Sequence, residues 1–442
     1  MNGWTHTTIG DLCDQGILHT QTGPFGSQLH KSDYLEDGGV PVVPTEAIGR
    51  RRILPIDVPL VSEETANRLS RHFIRQGDIL FARRGIQATG LSALVSEAES
   101  GWICGTGAIL LRPLSSDIDP VFLSYHLSDQ STFNWIRQNA VGAVMPNLNE
   151  SVIRRIPLHL PPLRLQTSIS SALSSLDDKI ETNRRMNAVL EEMARAIFRA
   201  WFVDFEPVKA KAAGATSFPG MPQETFDQLP NRLTPSELGE IPEGWNAEPL
   251  SKQIILIGGG TPKRKQAENW NGNIPWYSVR DAPDAADAWV TQTTETITDL
   301  GIQNSSAKVV RPRTTIVSAR GTVGKLALTA VPMAMNQSCY AVQGAVDGSD
   351  FYTYFLLMGA VGSLSQQAHG SVFDTITRQT FDSTSAVHAT EEISKAFDRC
   401  VEPLLKQMRE NCRQNHDLAA TRDSLLPKLI SGDITTSAIR SS

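Results

Sequence analysis

The amino-acid sequence predicts an α+β protein in which two β-rich domains form a pseudo-two-fold repeat, separated by two long helices packed as an antiparallel coiled coil. Three observations predict this fold. Two long segments carry apolar residues at alternating spacings of four and three, which is the period of a coiled coil. These segments stay in step at an offset of 228 residues. Matching glycine-containing motifs and short apolar stretches precede each segment and predict strands and turns.

The apolar seams of the two predicted helices match position by position, including two asparagines in each. A seam asparagine lowers the stability of a helix pair but fixes its register and its partner. Two ordinary amphipathic helices that pack on separate domains are the alternative interpretation. The first seam comprises Ile169, Leu173, Leu176, Ile180, Asn183, Asn187, Leu190, Ala194, Ile197 and Trp201, and the second comprises Phe397, Val401, Leu404, Met408, Asn411, Asn415, Leu418, Arg422, Leu425 and Leu429.

The repeat also predicts the register of the helix pair. If the helices run antiparallel about a pseudo-two-fold axis, the centres of the two seams face each other. Asn183 is then expected to face Asn415, and Asn187 to face Asn411.

Two further expectations concern the second helix. Arg422 occupies a seam position opposite Leu176, so its aliphatic stem is expected to cover apolar surface while its guanidinium reaches water. Pro403 lies near the predicted start of the helix. It predicts a kink or a broken first turn, because proline has no backbone N–H and clashes with the preceding turn.

Each β-rich region contains the same four motifs in the same order. The matching pairs are residues 3–4 with 244–245, 38–44 with 272–278, 77–85 with 313–321, and 108–111 with 339–342. The predicted domain order is a first β-rich domain (1–155), a first helix (156–206), an acidic Pro/Gly connector (207–245), a second β-rich domain (246–388), a second helix (389–432) and a tail (433–442).

The net charge of −6 argues against a nucleic-acid partner, but its distribution changes that interpretation. Residues 200–250 hold 3 Lys and Arg against 8 Asp and Glu, whereas residues 50–84 hold 8 against 4 and residues 258–330 hold 9 against 6. The acidic charge is therefore concentrated around the connector, and each β-rich domain contains a locally basic stretch.

The composition is that of a globular protein without a membrane span. The longest apolar stretch covers residues 354–362, far short of the roughly 20 residues that cross a bilayer. The first residues have no basic start or apolar run, so no signal peptide is predicted. The five cysteines form no CxxC pair and indicate reduced thiols of a cytoplasmic protein. Cys104 and Cys339 fall at similar places in the two repeats and are predicted core residues.

No catalytic motif is complete in this sequence. The segment Gly321-Thr-Val-Gly-Lys325 lacks the glycine spacing of a phosphate-binding loop, and Leu326 stands where such a loop needs Ser or Thr. The nine histidines show no HxxxH or HExxH spacing, so no metal site is predicted. An active site dispersed along the chain stays possible, because spacing in sequence does not limit spacing in space.

The polar residues of the basic stretches favour binding to DNA. Arg and Lys pair with guanine edges and phosphates, and Asn and Gln pair with adenine. Solvated surface charge is the alternative for each residue, and Arg84 and Arg320 could equally cap loop carbonyls. The candidates in the first domain are Gln28, His30, Lys31, Arg50, Arg51, Arg52, Arg83, Arg84 and Gln87, and those in the second are Lys263, Arg264, Lys265, Asn271, Asn273, Arg280, Arg320 and Lys325.

Over nearly its whole length, the sequence resembles the specificity subunit of type I restriction-modification enzymes, the HsdS family. The motifs that carry the resemblance are Gly23-Pro-Phe-Gly-Ser27 followed by Asp33-Tyr34, Gly77-Asp-Ile-Leu-Phe-Ala-Arg-Arg-Gly85, Phe198-Arg-Ala-Trp-Phe-Val-Asp-Phe-Glu-Pro207, Leu238-Gly-Glu-Ile-Pro-Glu-Gly-Trp245 and Leu425-Leu-Pro-Lys-Leu-Ile-Ser-Gly432. Each motif is of moderate specificity, but the five occur in the family's order.

The resemblance implies a function in DNA recognition. Two target recognition domains would each read one half of a split site, and the helices would carry two modification subunits that use S-adenosylmethionine to methylate adenine. Restriction subunits would add ATP- and Mg-dependent translocation and cleavage, so the chain itself would have no active site and no cofactor. Because the second domain has Gly260-Thr-Pro262 in place of the first motif, the two half-sites are expected to differ.

Two functions of other classes are the alternatives. A single-chain nuclease or methyltransferase fused to a recognition half needs a catalytic domain of about 200 residues, for which the two repeats leave no room. A coiled-coil scaffold that binds only protein would lack DNA specificity. Salt-dependent binding to a split duplex site separates this scaffold from a DNA-recognition subunit.

Overall fold

The computed structural model describes residues 3–85, 87–142, 146–283, 287–369 and 375–434, and these divide into two compact units. The first unit comprises residues 1–178 and 418–442, and the second comprises residues 179–417. Each unit contains one β-rich domain and segments of both long helices. The predicted α+β class with two β-rich domains is confirmed.

The first β-rich domain begins with a short strand and ends with its antiparallel partner, directly before the first long helix. Its elements are β1 (Thr5–Thr8), α1 (Ile9–Asp14), β2 (Leu18–Thr22), β3 (Tyr34–Leu35), β4 (Val40–Val43), β5 (Arg51–Arg52), β6 (Leu60–Val61), α2 (Glu63–Arg68), β7 (Ile79–Ala82), β8 (Ser92–Leu94), β9 (Ile103–Cys104), β10 (Ala108–Pro113), α3 (Pro120–Ser128), α4 (Gln130–Asn139), α5 (Glu150–Arg154) and β11 (Pro157–Leu160).

The remaining elements comprise the two long helices, the segment that follows the first of them, and the second β-rich domain. They are α6 (Leu163–Phe202), α7 (Glu206–Ala212), α8 (Gln223–Gln228), β12 (Leu233–Ser236), β13 (Gly239–Pro242), β14 (Asn246–Pro249), β15 (Ile254–Gly258), β16 (Trp270–Tyr277), β17 (Trp289–Val290), β18 (Glu295–Ile297), α9 (Asp299–Gln303), β19 (Thr315–Ser318), β20 (Leu326–Thr329), β21 (Ala334–Met335), β22 (Cys339–Gly344), α10 (Asp350–His369), α11 (Arg378–Ser383), β23 (Ser385–His388) and α12 (Glu391–Ser431).

The two domains repeat the same sheet, strand for strand. The five-stranded sheet of the first domain has the order β2-β10-β7-β8-β5, and that of the second has the order β15-β22-β19-β20-β17. In both sheets the edge strand, β5 or β17, pairs in parallel and the other neighbours pair antiparallel. The pairs β1–β11 and β14–β23 also correspond. The internal repeat read from the sequence is therefore a repeat of the fold.

The central strand of each sheet, β7 or β19, is enclosed on both faces. Every residue of β7 and of β19 is buried, so both faces of each strand are covered. β7 is accordingly a continuous apolar run, whereas β19 has buried Thr315 and Ser318 at its two ends. The motifs at residues 77–85 and 313–321 therefore place matching strands at the centre of each sheet.

One equivalence predicted from the sequence is wrong. Cys104 ends β9, which pairs in parallel with β4, and the corresponding parallel pair in the second domain is β16–β21. Cys339 instead begins β22, the counterpart of β10. The two cysteines are both buried core residues, as predicted, but they do not occupy the same place in the repeat.

The segment after the first long helix is more ordered than a connector. Residues 207–245 contain α8, most of α7 and the β12–β13 hairpin. Val208, Phe226, Ile241 and Trp245 are buried in the apolar core of the second unit. The ammonium group of Lys211 donates hydrogen bonds to three backbone carbonyls near the end of α8. The acidic Pro/Gly connector predicted at residues 207–245 is therefore a folded segment, because its few apolar residues are widely spaced in sequence but share one core.

The second long helix runs through both of its prolines. It begins at Glu391, twelve residues before Pro403, and continues without a break to Ser431. The prediction of a broken first turn at Pro403 is therefore wrong, because the helix begins twelve residues before this proline, within two residues of the predicted start at 389. Its start at Glu391 lies 228 residues after the start of α6 at Leu163, the same offset as the seams.

Candidate nucleic-acid interface and helix pair

Both predicted asparagine pairs are present between α6 and α12 in the second unit. The side-chain amide of Asn183 donates to Asn415 Oδ1 at 2.9 Å. The amide of Asn411 donates to Asn187 Oδ1 at 2.8 Å. As the residue number rises along α6 it falls along α12, so these helix segments run antiparallel in the register that the repeat predicts.

Additional contacts occupy the amide N–H groups of Asn183 and Asn187, whereas Asn183 Oδ1 and Asn415 Nδ2 are buried without a hydrogen-bond partner among the described residues. Asn183 and Asn187 are both fully buried. Asn183 also donates to Gln414 Oε1 at 2.7 Å, and Asn187 donates to Asp287 Oδ1 at 2.6 Å. A buried amide without partners costs about 1–3 kcal/mol, so these bonds make the polar seam positions tolerable. Asp287 belongs to the β-rich domain and thereby ties it to the helix pair.

In the first unit the helices meet through apolar residues and an ion pair. Ile169 and Leu173 of α6 share a buried cluster with Leu426, Leu429 and Ile430 of α12. The helices are therefore antiparallel in this unit as well.

Arg422 behaves differently from its prediction. Its guanidinium pairs with Asp177 and with Asp423, and only 13 % of its side chain is exposed. The expected surface-reaching guanidinium is therefore corrected to a mostly buried ion pair with Asp177 and Asp423. A carboxylate on the facing helix makes this burial possible, because an unpaired buried charge is costly.

Arg51 joins the same cluster from the β-rich domain. Its Nε lies 3.5 Å from Asp177 Oδ2, its guanidinium lies over the ring of Tyr125, and 11 % of its side chain is exposed. Tyr125 donates its hydroxyl to Asp177 at 2.5 Å. Burial lowers the pKa of the Arg51 guanidinium, and Asp177 opposes that shift. Arg51 is therefore structural, which replaces its predicted contact with DNA.

Two other predicted DNA contacts hold loops together. Arg50 donates from Nε and Nη2 to the carbonyl of Ser128, at 3.1 and 2.8 Å. Arg83 donates from Nε to Asn147 Oδ1 at 3.2 Å and to the Leu148 carbonyl at 3.1 Å. Both guanidinium groups have intramolecular acceptors, but Arg50 is exposed and Arg83 is half-buried, so their contact with DNA stays a prediction. Arg52 is half-buried and also has an intramolecular partner.

The other candidates of the first domain lie at its surface. His30, Lys31, Arg84 and Gln87 are exposed, and Gln28 is half-buried. The loop that carries Gln28 is a defined turn, because Gln28 Oε1 accepts from the backbone N–H of Phe25 at 3.0 Å and its own N–H bonds back to the Phe25 carbonyl.

The same turn presents a residue that the sequence analysis missed. Phe25 is 57 % exposed beside the polar candidates. The sequence signal that could have identified Phe25 is its position within the motif Gly23-Pro-Phe-Gly-Ser27.

A basic and aromatic cluster organises the second domain. The guanidinium of Arg264 lies 4.0 Å from the ring centroid of Trp270 and pairs with Glu295, with Nη2–Oε2 at 3.0 Å. Arg280 Nη2 lies 3.5 Å from the same carboxylate. The hydrogen bond from Arg264 holds the pKa of Glu295 below its ordinary value. Arg264 and Arg280 therefore lie at the surface with part of their charge neutralised.

The remaining candidates of the second domain are exposed. Lys263, Lys265 and Lys325 have exposed side chains. Asn271 and Asn273 are exposed along β16, and Asn271 adopts a positive φ of 60°, which asparagine tolerates better than most residues.

Arg84 and Arg320 occupy equivalent positions after the central strands. The backbone of Arg84 bridges to Asn147, and that of Arg320 bridges to Thr375, each extending its domain beyond the strand. Both side chains are exposed. Neither guanidinium caps a loop carbonyl within the described part of the chain.

Within the described ranges, no three His, Cys, Asp or Glu side chains come together as a possible metal site. No helix in the part of the chain that the structure describes is both long and apolar enough to span a bilayer.

The duplicated β-rich domain and the paired helices define a class of proteins that carry two copies of one recognition domain. Comparison with known proteins identifies the family. Residues 1–192 and 242–385 match the model of the type I restriction modification DNA specificity domain. The chain belongs to this family, HsdS, as its motifs predict.

Known members are similar along most of this chain. The HindI specificity subunit of Haemophilus influenzae is 26 % identical over 82 % of this chain and 87 % of its own length. The MjaIX specificity subunit of Methanocaldococcus jannaschii is 21 % identical over 86 % of this chain and 87 % of its own length. The solved S subunit from M. genitalium has the same fold, with a TM-score of 0.55, 14 % identity, and coverage of 97 % of this chain and 96 % of that one. A scaffold without DNA specificity is not favoured by these similarities.

Proposed function

We propose that this chain is the non-catalytic sequence-specificity subunit of a type I restriction-modification complex in the cytoplasm. Each β-rich domain reads one half of a bipartite DNA site. The observation that carries the proposal is the duplicated sheet, β2-β10-β7-β8-β5 and β15-β22-β19-β20-β17, joined to one pair of helices. Two copies of a reading domain on one chain suit a site with two halves.

The two half-sites differ in sequence. Arg84 and Arg320 keep their type and place in both domains, which suits phosphate contacts that fix position without reading bases. The surfaces around them differ, because the first domain presents Phe25 and Lys31 whereas the second presents Arg264 stacked on Trp270. Different polar groups read different base edges, so the site is asymmetric.

The chemistry of the complex belongs to partner subunits. Two modification subunits bind S-adenosylmethionine and methylate adenine, and restriction subunits use ATP and Mg²⁺. The α6–α12 pair supports this assignment of the chemistry to partner subunits. Each helix is about 40 residues long, so its outer face offers a long surface for a partner.

Mapping of methylated adenines tests the proposed function directly. The chain is expressed with its modification subunits in a host without adenine methylation, and the genome is sequenced by a method that detects N6-methyladenine. The expected result is one asymmetric motif with a fixed gap between two specified halves. A hybrid that carries the second β-rich domain of another family member should change one half only. Methylation at a continuous motif, or methylation by the chain without partners, contradicts the proposal.

A further inference from the structure

The turn that follows β2 has an equivalent in the second domain, the turn that follows β15. Thr22 ends β2 and Gly258 ends β15, and each pairs with the second residue of its neighbour strand, β10 or β22. The residues after Thr22 and after Gly258 therefore correspond one by one. Phe25 in the first domain occupies the place of Thr261 in the second.

Both turns begin with a glycine for the same steric reason. A Cβ on Gly23 would lie 2.0 Å from the carbonyl oxygen of Gly105, and a Cβ on Gly259 would lie 1.9 Å from that of Asn336. A larger residue at either place would collide with the neighbouring backbone. The two domains therefore differ here in the side chains of the turns and not in the way the turns begin.

The backbone of Phe25 is fixed at both of its polar groups. Its N–H donates to Gln28 Oε1 at 3.0 Å, and its carbonyl accepts from the N–H groups of Gln28 and Leu29, at 2.8 and 3.2 Å. Leu29 is buried in an apolar cluster of the first domain and anchors the turn. The ring of Phe25 is therefore carried by a turn with a defined conformation.

The exposure of this ring distinguishes the two domains. Of the Phe, Tyr and Trp side chains that the structure describes, Phe25 alone is exposed, and the others are buried or half-buried. Thr261 is half-buried, and its hydroxyl donates a hydrogen bond to Gln337 of its own domain. An apolar ring that a defined turn keeps in water gains free energy when a partner covers it. The first domain offers such a ring at this place and the second does not.

Phe25 and Arg84 follow strands that end at the same edge of the five-stranded sheet. β2 ends at Thr22 and β7 ends at Ala82, and both strands run antiparallel to β10, which lies between them. The two strand ends are thus two strand spacings apart, about 10 Å. The major groove of DNA is about 12 Å wide, so a phosphate contact by Arg84 leaves Phe25 within reach of base edges in that groove.

The chemistry of the phenyl ring limits what it can recognise. It has no hydrogen-bond donor or acceptor, so it cannot read the polar groups of the bases. The apolar group that a stacked base pair presents in the major groove is the C5-methyl of thymine, which Phe can contact. Insertion of the ring between base pairs would require the pairs to unstack. Part of Phe25 already packs against its own domain, which favours contact with the groove surface over full insertion.

We propose that Phe25 is a specificity-determining residue that reads the C5-methyl group of one thymine in the first half-site. This inference rests on the proposed function. The second half-site has no equivalent apolar contact, because Thr261 takes the place of Phe25 and bonds within its own domain. The two half-sites therefore differ in the kind of contact that reads them as well as in their sequence.

Replacement of thymine by deoxyuridine, which lacks the methyl group, tests the proposal. The complex of the full chain with its modification subunits is titrated with duplexes that carry the mapped site. Each thymine of the first half-site, the half that the hybrid of the second domain leaves unchanged, is replaced in turn. One replacement should weaken binding by the wild type about fourfold, the effect of one buried methyl group. The Phe25→Ala complex should bind that duplex and the unmodified duplex with equal affinity.

Leu35→Ala is the matched control, since Leu35 is an exposed apolar residue of the same domain that lies in β3. This variant should keep the wild-type difference between the two duplexes, and circular dichroism should show that both variants fold. The motif methylated by the Phe25→Ala complex in the genome should accept cytosine at the position of the thymine and keep the second half-site unchanged.

The possible contrary results separate this inference from the proposed function. Deoxyuridine effects that are the same in wild type and Phe25→Ala at every position overturn the inference and leave the proposed function standing, as does a first half-site without an A·T pair. A rise in 2-aminopurine fluorescence at the site that Phe25→Ala abolishes shows insertion between base pairs and also overturns the inference. Absence of any methylated motif with the wild-type chain overturns both.

Discussion

Arg51 and Trp289 each begin the edge strand of their sheet, and each connects that strand to one of the long helices. Arg51 contacts Asp177 of α6 at 3.5 Å, and Trp289 donates its indole N–H to the carbonyl of Leu405 in α12 at 2.9 Å. Asp177 and Leu405 are themselves 228 residues apart. The contact is duplicated, but its chemistry is ionic in the first unit and mainly apolar in the second, where Trp289 lies in the core.

Removal of Asp177 should destabilise the first unit. Asp177→Ala leaves Arg51 and Arg422 mostly buried without their shared carboxylate, while Arg422 retains Asp423. Because Asp177 is partly exposed, we expect a loss of about 2 kcal/mol in the free energy of unfolding, below the value for a fully buried pair. Urea unfolding followed by fluorescence measures this loss.

Arg185→Ala is the control for this ion pair. Arg185 makes an exposed pair with Glu181 in the same helix, so its removal should change the free energy of unfolding by less than about 0.5 kcal/mol. Equal losses of unfolding free energy from the two substitutions would show that the ion pairs of Asp177 do not stabilise the protein.

Breaking one asparagine pair should cost more than replacing both of its members. Asn411→Ala leaves Asn187 buried without its partner across the helix pair, and we expect a loss of about 1–3 kcal/mol in unfolding free energy. Joint replacement of Asn187 and Asn411 by Leu should cost less than Asn411→Ala when both are made in an Asp287→Ala background, where no carboxylate loses the hydrogen bond from Asn187, because apolar seam positions stabilise helix pairs. Chemical denaturation of the three proteins gives both values. A double variant less stable than Asn411→Ala contradicts this prediction.

Asp398 should make the second unit less stable as the pH rises. Burial raises the pKa of this carboxyl from 3.8 to about 7, although the backbone N–H groups of Phe351 and Tyr352 donate to it. The folded state thus holds the proton more tightly than the unfolded state, so the free energy of unfolding falls between about pH 4 and pH 7.

Asp398→Asn isolates this effect, because the amide does not ionise. Other groups, including buried His126 with its pKa lowered by burial to about 4, titrate in the same window with the opposite sign. The difference in unfolding free energy between wild type and variant, measured at pH 5 and pH 7.5, removes their contribution. The wild type should lose stability relative to the variant as the pH rises, and a difference that is constant with pH refutes the assignment.

Arg84→Ala and Arg320→Ala should weaken DNA binding by the assembled complex without changing its preferred sequence. If both residues contact phosphates, each loss affects all sequences alike and lowers the salt dependence of binding by about one charge. Equilibrium binding to specific and nonspecific duplexes over a range of salt concentrations measures both effects. Arg83→Ala should instead destabilise the fold, because Arg83 holds the Asn147–Leu148 backbone. A change of methylated motif in either variant would assign base reading to that arginine.

The helix pairing was predictable to the residue. Asn183, Asn187, Asn411 and Asn415 interrupt otherwise apolar seams at matching positions, and only one antiparallel register brings both pairs together. The burial of the arginines was not predictable. Arg51, Arg83 and Arg84 look alike in sequence, yet only Arg84 is exposed, because carboxylates and carbonyls distant in sequence receive the other two.

The sequence by itself determined the repeat, the order of domains and helices, and the helix register. These features depend on the periodic spacing of the apolar seam residues and on the constant offset of 228 residues between the two halves. Only the tertiary structure decided which charges remain available to DNA and how the segment after Phe202 joins the core. These features depend on contacts between residues far apart in the chain, and a side chain's identity does not encode the surroundings that the fold gives it.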